Sequence, residues 1–421
     1  MSSGFTRRQF AREPGQRQYR DKTSPSGGKT RTLPPVDPKV ISIAAEIIRA
    51  SSRECPADRA VREALASRRV PTSEQTREIS RAVFSYFRWF GWLDRERPLP
   101  GQIKYAVELA QAFKDRPESF SDQKLVERSL PDWVRGEMEV TPAWVRAIQA
   151  EPRLWLRAKR GQGRALVEKL GAAKLDALPD AVFYRGEEDL YRRAEFHAGE
   201  FEIQDIASQA VGWLCAPQPG ETWWDACAGE GGKTLHLSDL MANQGLIWAS
   251  DRAAWRLQKL KRRAARAGVF NYRPAIWDGG PKLPTKTKFD GVLMDAPCSG
   301  IGTWQRNPHA RWTTTPADVR ELADIQKRLL ANVAPAVKPG GKLVYAVCTL
   351  THAETMEVTG TFEREHAEFE PFEPANVLAA INNQSFLRPA PKVTLWPQKC
   401  GGNAMFVAVW RKKSQVPIPA A

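Results

Sequence analysis

Neither a disulfide framework nor a metal-ligand signature can be assembled from this 421-residue chain. It holds six cysteines, at no regular spacing and with no CxxC pair. A stapled scaffold is excluded, and a structural zinc site is argued against. Free thiols in a reducing, cytoplasmic setting are expected. Long apolar runs are missing too. None reaches the length of a membrane span, and the first residues carry no apolar h-region, so neither membrane insertion nor a secretory leader is expected. Negative charge is in short supply: 63 Lys and Arg stand against 48 Asp and Glu, a net charge of +15. That sign suits a polyanion, nucleic acid before anionic membrane. Tryptophan is plentiful, at 15 residues. Most are expected in cores and domain interfaces, a minority on bases. A hydrophobic content of 42% is ample for packed cores, and the length suggests two or three domains in an expected monomer.

Residues 1–38 read as a basic tail, rich in Arg, Lys, Ser, Gly and Pro. They bury too little to order themselves, and would add non-specific phosphate affinity. From Val40 the pattern turns helical. "VISIAAEIIRA" puts Ile43, Ile47 and Ile48 on one face. "TSEQTREISRAVFSYFRWF" opens on a capping pattern, Thr72 to Gln75, and strings Ile79, Val83, Phe87 and Phe90 into a stripe. A helical domain of about five helices is expected over 39–135. Residues 136–200 mix strand and helix ("LWLRAK", "GRALVEKLGAA", "AVFYRG") and read as a small α/β insert. From Phe201 to 413 strands and helices alternate, which implies a doubly wound, mostly parallel Rossmann-like sheet closed by "NAMFVAVWRK" as an edge strand; 414–421 is a second tail.

"DACAGEGGKT", Asp225 to Thr234, is the loop after the first strand of that domain. Its glycines allow a tight turn and close backbone approach to a ligand. It is neither GxxxxGK[ST] nor a clean GxGxxG. Acids strengthen the reading. Asp251 ends the next strand about twenty residues on, where a carboxylate suits the ribose hydroxyls of a nucleoside cofactor. Asp278 in "AIWDGG" suits an adenine amino group, and Asp295 ends the fourth strand. Any one alone would be a cap or turn residue; three at strand ends converge on one crevice.

With these residues in view the chain resembles the Sun/RsmB family of RNA cytosine-5 methyltransferases. The resemblance is carried by "EIQDIASQAV", "DACAGEGGKT", "MDAPCSGIGTWQRNPHARW", "KPGGKLVYAVCTL" and "LWPQKCGGNAMFVAVW". Residues 40–115 look like the NusB-like domain of some members. "LPDWVRGEME", together with the mixed segment C-terminal to it, resembles the family's small RNA-recognition-motif-like subdomain. The resemblance implies S-adenosylmethionine on Ala228, Gly229, Glu230, Gly231, Gly232 and Lys233, with Asp251, Asp278 and Asp295 as polar contacts. It implies Cys348 as the nucleophile and Cys298 as the residue that assists product release. The sequence departs from the family at Gly229-Glu230, which replaces Ala-Pro, at Val347 before the nucleophile, and at Asn403-Ala404-Met405-Phe406.

The implied chemistry explains two cysteines. Carbon 5 of cytosine is too weak a nucleophile unaided; a thiolate adding to carbon 6 makes it an enamine. Asp295 is the candidate to hydrogen-bond the ring, and Lys233 to favour the thiolate. Cys55, Cys215 and Cys400 are expected as small buried hydrophobes, with Cys227 packed beneath its loop. The run "WRLQKLKRRAARAG" is read as the solvated face of a crossover helix, with Leu257, Leu260 and Ala264 inward. "WQRNPHARW" is the better RNA candidate, with Arg306 and Arg311 on phosphates and Trp304 or Trp312 on a base. Small-subunit rRNA is the expected substrate, by analogy. The rivals are a DNA cytosine-5 methyltransferase using Cys298 after Pro297, and a non-catalytic RNA-binding assembly factor.

Overall fold

Apolar residues recurring every three or four positions set the first layer of the structure. This computed structural model describes residues 37–67, 72–175, 178–374, 387 and 390–414. Most of the expected basic tail, and the last seven residues, lie outside them. The helices are α1 (Pro38–Ala50), α2 (Ala57–Ser67), α3 (Ser73–Arg88), α4 (Leu99–Asp115), α5 (Asp122–Arg128), α6 (Val134–Glu137) and α7 (Pro142–Gln149). Asp37 caps α1 by accepting the Lys39 N–H, and Thr72 caps α3 by accepting that of Gln75. Ile79, Val83 and Phe87 are buried as the stripe requires, whereas Phe90 begins a 3₁₀ turn and is partly buried.

The helical unit does not stop near residue 135. Thr141 caps a new helix with Pro142 in its first turn, and Trp144, Val145 and Ile148 of α7 join the same core as α1, α3 and α4. Among the described residues α1 to α5 supply the number expected over 39–135, and α6 and α7 extend the unit. α6 has four residues and α5 seven, too few for periodicity to register.

Next come β1 (Leu154–Ala158), α8 (Gly163–Leu170), β2 (Ala173–Leu175), β3 (Ala181–Tyr184), α9 (Ala194–His197) and β4 (Phe201–Ile203). They form an antiparallel sheet of order β2-β3-β1-β4 over a small core of Leu156, Leu166, Val182 and Phe201. β4 lies past the expected boundary at 200 because it pairs with β1, Phe201 opposite Ala158.

The C-terminal domain comprises α10 (Ile206–Cys215), β5 (Thr222–Asp225), α11 (Gly232–Leu240), β6 (Leu246–Asp251), α12 (Ala254–Ala267), β7 (Tyr272–Ile276), β8 (Phe289–Asp295), α13 (Ala310–Thr313), α14 (Pro316–Val333), β9 (Val337–Val347), α15 (Val358–Glu365), β10 (Phe369–Pro371), β11 (Lys392–Leu395), α16 (Pro397–Cys400) and β12 (Met405–Lys412). The sheet runs β10-β12-β9-β8-β5-β6-β7, with β11 also on β12. β9, β8, β5, β6 and β7 are parallel, and β12 is antiparallel to β9. β12 is therefore not an edge strand. Its run Met405–Trp410 is buried throughout, covered beyond β9 by the short β10 and β11. An unbroken apolar run is what burial on both faces demands. On α12, Leu257, Leu260 and Ala264 point inward as the helical spacing requires. No helix among the described residues is long and apolar enough to cross a membrane.

Candidate active site

Successive parallel strands end side by side, and the sequence places an acid or a thiol at or just after each end. β5 finishes at Asp225, β6 at Asp251 and β8 at Asp295; Cys348 follows β9. The order of β6, β5 and β8 makes this a switch point, where open α/β sheets bind ligands. A cavity of about 440 Å³ lies there, lined by the glycine loop, Asp225, Asp251, Asp278 and Asp295, with Ile325 and Leu329 of α14 as apolar wall.

Backbone bonds shape the loop. Ala228 donates to Ser250 O at 2.8 Å, and Gly229 donates to Asp251 Oδ2 at 3.0 Å. Gly231 has φ +87°, and a Cβ there would stand 2.6 Å from Leu260 Cγ, so glycine is required twice over. Asp251 is 6% exposed, and its other oxygen accepts the Ala253 N–H at 2.8 Å. Asp278 is exposed and accepts from Gly280. Glu230 pairs with Lys259 of α12 at 2.7 Å while lining the cavity.

Lys233 donates to Asp295 Oδ2 at 2.5 Å. Burial alone would push its pKa down. The charge and hydrogen bond of Asp295, with Cys348 also in Coulombic reach, outweigh this and hold it above the usual lysine value. Sequence alone does not single out Asp225, yet it is fully buried and accepts from Thr234 Oγ1 at 2.6 Å. Its other oxygen has no protein partner. Burial, reinforced by Asp295 and Asp251, pushes its pKa up to about 7.

Cys298 and Cys348 are free, half-buried and together: their sulfurs are 3.2 Å apart. The hydrogen bond with Cys348, then burial, holds the Cys298 pKa well above the usual thiol value. The cavity lining reaches Pro297, the residue before it. Cys215 and Cys400 are buried, and Cys55 and Cys227 pack at the margins of cores.

Of the expected RNA contacts on "WQRNPHARW", the structure buries Arg311 and Trp304, engages Trp312 and leaves Arg306 partly exposed. Arg311 is fully buried and donates to Ser129 O, Ile148 O and Gln149 Oε1 at 3.0, 3.1 and 2.6 Å. Trp312 donates its indole N–H to Phe87 O at 2.7 Å and packs on Phe90. Trp304 is fully buried between Trp133 and Trp144. Arg306 is partly exposed but donates to Arg153 O and Asp205. The segment leaves the cysteine turn straight into the helical unit, where Trp304, Arg311 and Trp312 serve the junction.

The layout is that of a Rossmann-like methyltransferase domain: a crevice at the switch point, an acid at each strand end and, here, two thiols at its rim. Residues 212–411 match the family described as 16S rRNA methyltransferase RsmB/F. The match runs from within α10 to within β12, and over that domain the chain is similar to the RsmB/F, or Sun, family. A probable ribosomal RNA small subunit methyltransferase B of Synechocystis is 39% identical over 52% of this chain and 49% of its own length. A ribosomal RNA small subunit methyltransferase F of Vibrio parahaemolyticus is 37% identical over 54% of this chain and 48% of its own. The chain thus spans about half the length of the curated relatives it matches. The crystal structure of PH0851, 23% identical, superposes with a TM-score of 0.72 over 90% of this chain and 99% of its own, a likeness of fold.

Proposed function

We propose that the chain methylates carbon 5 of cytosine in RNA, with small-subunit rRNA as substrate, through a covalent adduct on Cys348. The observation that carries the reading is the thiol pair, 3.2 Å apart, beside the Lys233–Asp295 pair at the end of a nucleoside-sized cavity. On the same reading the helical unit is NusB-like and the insert RRM-like, both serving RNA.

S-adenosylmethionine suits the donor set. Asp251 and Asp278 offer carboxylate acceptors for hydroxyl and amino groups, and the loop from Ala228 to Lys233 brings backbone close to the cavity at the start of α11. When bound, it supplies the methyl group. Cys348, as thiolate, adds to carbon 6 of a splayed-out cytosine, and carbon 5 gains the electron density to take the methyl. Asp295, oriented by Lys233, hydrogen-bonds the ring. A base then takes the proton from carbon 5, the sulfur–carbon 6 bond breaks, and its electron pair returns to Cys348. Cys298, with its sulfur 3.2 Å from that of Cys348, takes part in this elimination rather than in the attack.

The test uses both cysteine variants with labelled RNA on a denaturing gel. Cys348→Ala is expected to give neither methylation nor adduct. Cys298→Ala is expected to accumulate a denaturant-resistant adduct carrying one methyl group. Adduct with Cys348→Ala and none with Cys298→Ala would reverse the roles, the arrangement of the DNA enzymes. Unchanged methylation in both would end the covalent reading. Bisulfite sequencing of RNA from a deletion strain and its parent identifies the target.

A further inference from the structure

Behind the two cysteines lies a carboxylate without a cation. Glu354 is fully buried, on a π-helical turn, Ala353–Glu357, that comes after the Cys348 turn. Among the described residues it forms no salt bridge; five neutral donors surround it instead. Its Oε1 accepts from the Ser299 N–H at 2.8 Å and from Gln326 Nε2 at 3.0 Å. Its Oε2 accepts from the hydroxyls of Ser299, Thr349 (3.1 Å) and Thr351 (2.9 Å). A buried carboxylate is tolerated only when hydrogen-bonded this fully.

The donors are not scattered. Ser299 is next to Cys298 and Thr349 next to Cys348, and their hydroxyl oxygens are 3.0 Å apart. Gln326, from α14, also donates to the carbonyl of Pro297, the residue before Cys298, at 2.8 Å. The Tyr345 hydroxyl, from β9, reaches the Glu354 carbonyl at 2.6 Å. One side chain thus anchors the residues that flank both sulfurs. A π-turn is an irregularity that commonly marks a functional site, and here it aims the carboxylate between two turns.

We propose that Glu354 is a positioning residue: its buried carboxylate ties the Cys298 and Cys348 turns together and sets the spacing and division of labour of the two sulfurs. Its charge acts alongside its bonds. A fixed negative charge opposes a second one nearby, and so adds to the Cys348 hydrogen bond and to burial in opposing ionisation of Cys298. The titrating groups that face Cys298 are Tyr345 from β9, Cys348 just after it and Glu354 from the π-turn; α14 presents the neutral Gln326. The catalytic meaning rests on the proposed cytosine chemistry. The spacing and protonation do not, and they are measured on the protein alone.

The test is Glu354→Gln in the full chain, with folding followed by its thermal melt. Alkylation of Cys298 and Cys348 by iodoacetamide is measured by peptide mass spectrometry from pH 6 to 10, and disulfide formation between them with diamide. The glutamine removes the charge and turns an amide N–H₂ toward existing donors. Disulfide formation is expected to slow as the turns part, and Cys298 alkylation to rise at fixed pH, its profile moving to lower pH as one of the negative charges facing it is lost. Where Glu354→Gln does not fold, Ser299→Ala with Thr349→Val cuts the ties and keeps the charge. That pair should slow disulfide formation and leave the pH profile in place. Thr351→Val removes a donor that holds neither cysteine and should change neither readout. A folded Glu354→Gln with the parental Cys298 profile and disulfide rate would overturn the proposal. So would a folded Ser299→Ala, Thr349→Val pair that closes the disulfide at the parental rate. Absence of RNA methylation by the parent would sink the proposed function and leave these thiol measurements to stand or fall separately.

Discussion

Arg311 separates two accounts of one segment, as a phosphate contact or as a junction staple. In the structure its guanidinium is fully buried with three carbonyl-type acceptors between 2.6 and 3.1 Å, and a fourth, Arg88 O, at 3.4 Å. Among the described residues no carboxylate partners it, and burial, reinforced by the charge of Arg88, pulls its pKa down to about 9. Arg311→Met keeps the length and removes the charge. Three charged hydrogen bonds at about 1.5–3 kcal/mol each give a gross loss of about 5–9 kcal/mol. Relief of a desolvated cation offsets several kcal/mol of that. The expected net loss is about 2–4 kcal/mol, seen as a melting temperature lowered by a few degrees and faster proteolysis between α7 and the cysteine turns. Arg311→Lys should recover little, because a point ammonium cannot span acceptors arranged for a planar fork. The discriminating assay is RNA binding against salt. A phosphate contact predicts unchanged melting and a salt slope reduced by about one. That result would refute the staple and restore the RNA-contact reading.

Other outcomes derive from the same geometry. Asp251→Ala should weaken S-adenosylmethionine binding by about 1.5–3 kcal/mol in calorimetry and leave RNA affinity almost untouched; unchanged cofactor affinity would remove Asp251 from the site. Asp225 has its pKa raised to about 7, so its contribution to stability is full below the usual carboxylate range and is lost as pH rises through 7. Asp225→Asn, which has no charge to bury, should therefore gain on the parent between pH 5 and pH 8, by on the order of 3 kcal/mol in denaturant melts. A pH-independent difference would contradict the buried-carboxylate account. His236, fully buried between α10 and α11 with its pKa held well below the usual value by burial, gives the opposite sign. Its contribution is lost as pH falls below about 6.5, so a His236→Gln variant should be less acid-labile than the parent between pH 6.5 and 5, read by melting temperature.

Features with local causes are legible in the sequence. The glycine loop, the acids at strand ends and the two cysteines reflect strand periodicity and turns that only glycine makes; the structure lines one cavity with the loop and the acids and sets the two sulfurs together next to Pro297 of its lining. The fates of Trp304, Arg311 and Trp312 are not legible, because only the partner surface decides whether an Arg or a Trp after an active-site turn meets solvent or another domain. Trp133, Gln149 and Phe87 are that surface, each more than 150 residues away. Glu354 is hidden differently. Thr351-x-x-Glu354 is a capping pattern, and Glu354 does share bonds with Thr351 in that manner. The pattern is silent on the three further residues that use the same carboxylate. Asp225 escapes notice because its signal, an acid ending an apolar strand, is the one its neighbours also carry.

The helical unit is better regarded as a wall of the active site than as an arm attached to it. Ile301 and Trp304, just after Cys298, lie in the core that α1, α3, α4 and α7 build, with Leu350, just after Cys348, and Ala404, just before β12. Hydrogen bonds repeat the message: Arg88 donates to Gln305 O at 2.9 Å, and His352 N–H to Glu137 O at 2.8 Å. Inside the domain, Gly302 donates to Cys348 O at 2.9 Å, and its own carbonyl accepts from Ala404 at 2.8 Å. A Cβ at Gly302 would fall 2.2 Å from Ala404 O, so the two cysteine turns and the approach to β12 share one tight crossing. A side chain that must hold a thiol to a few tenths of an ångström needs support on every side. Glu354 supplies that support from within the catalytic domain. The helices supply it from outside, which is why the segment richest in candidate RNA contacts is spent on packing.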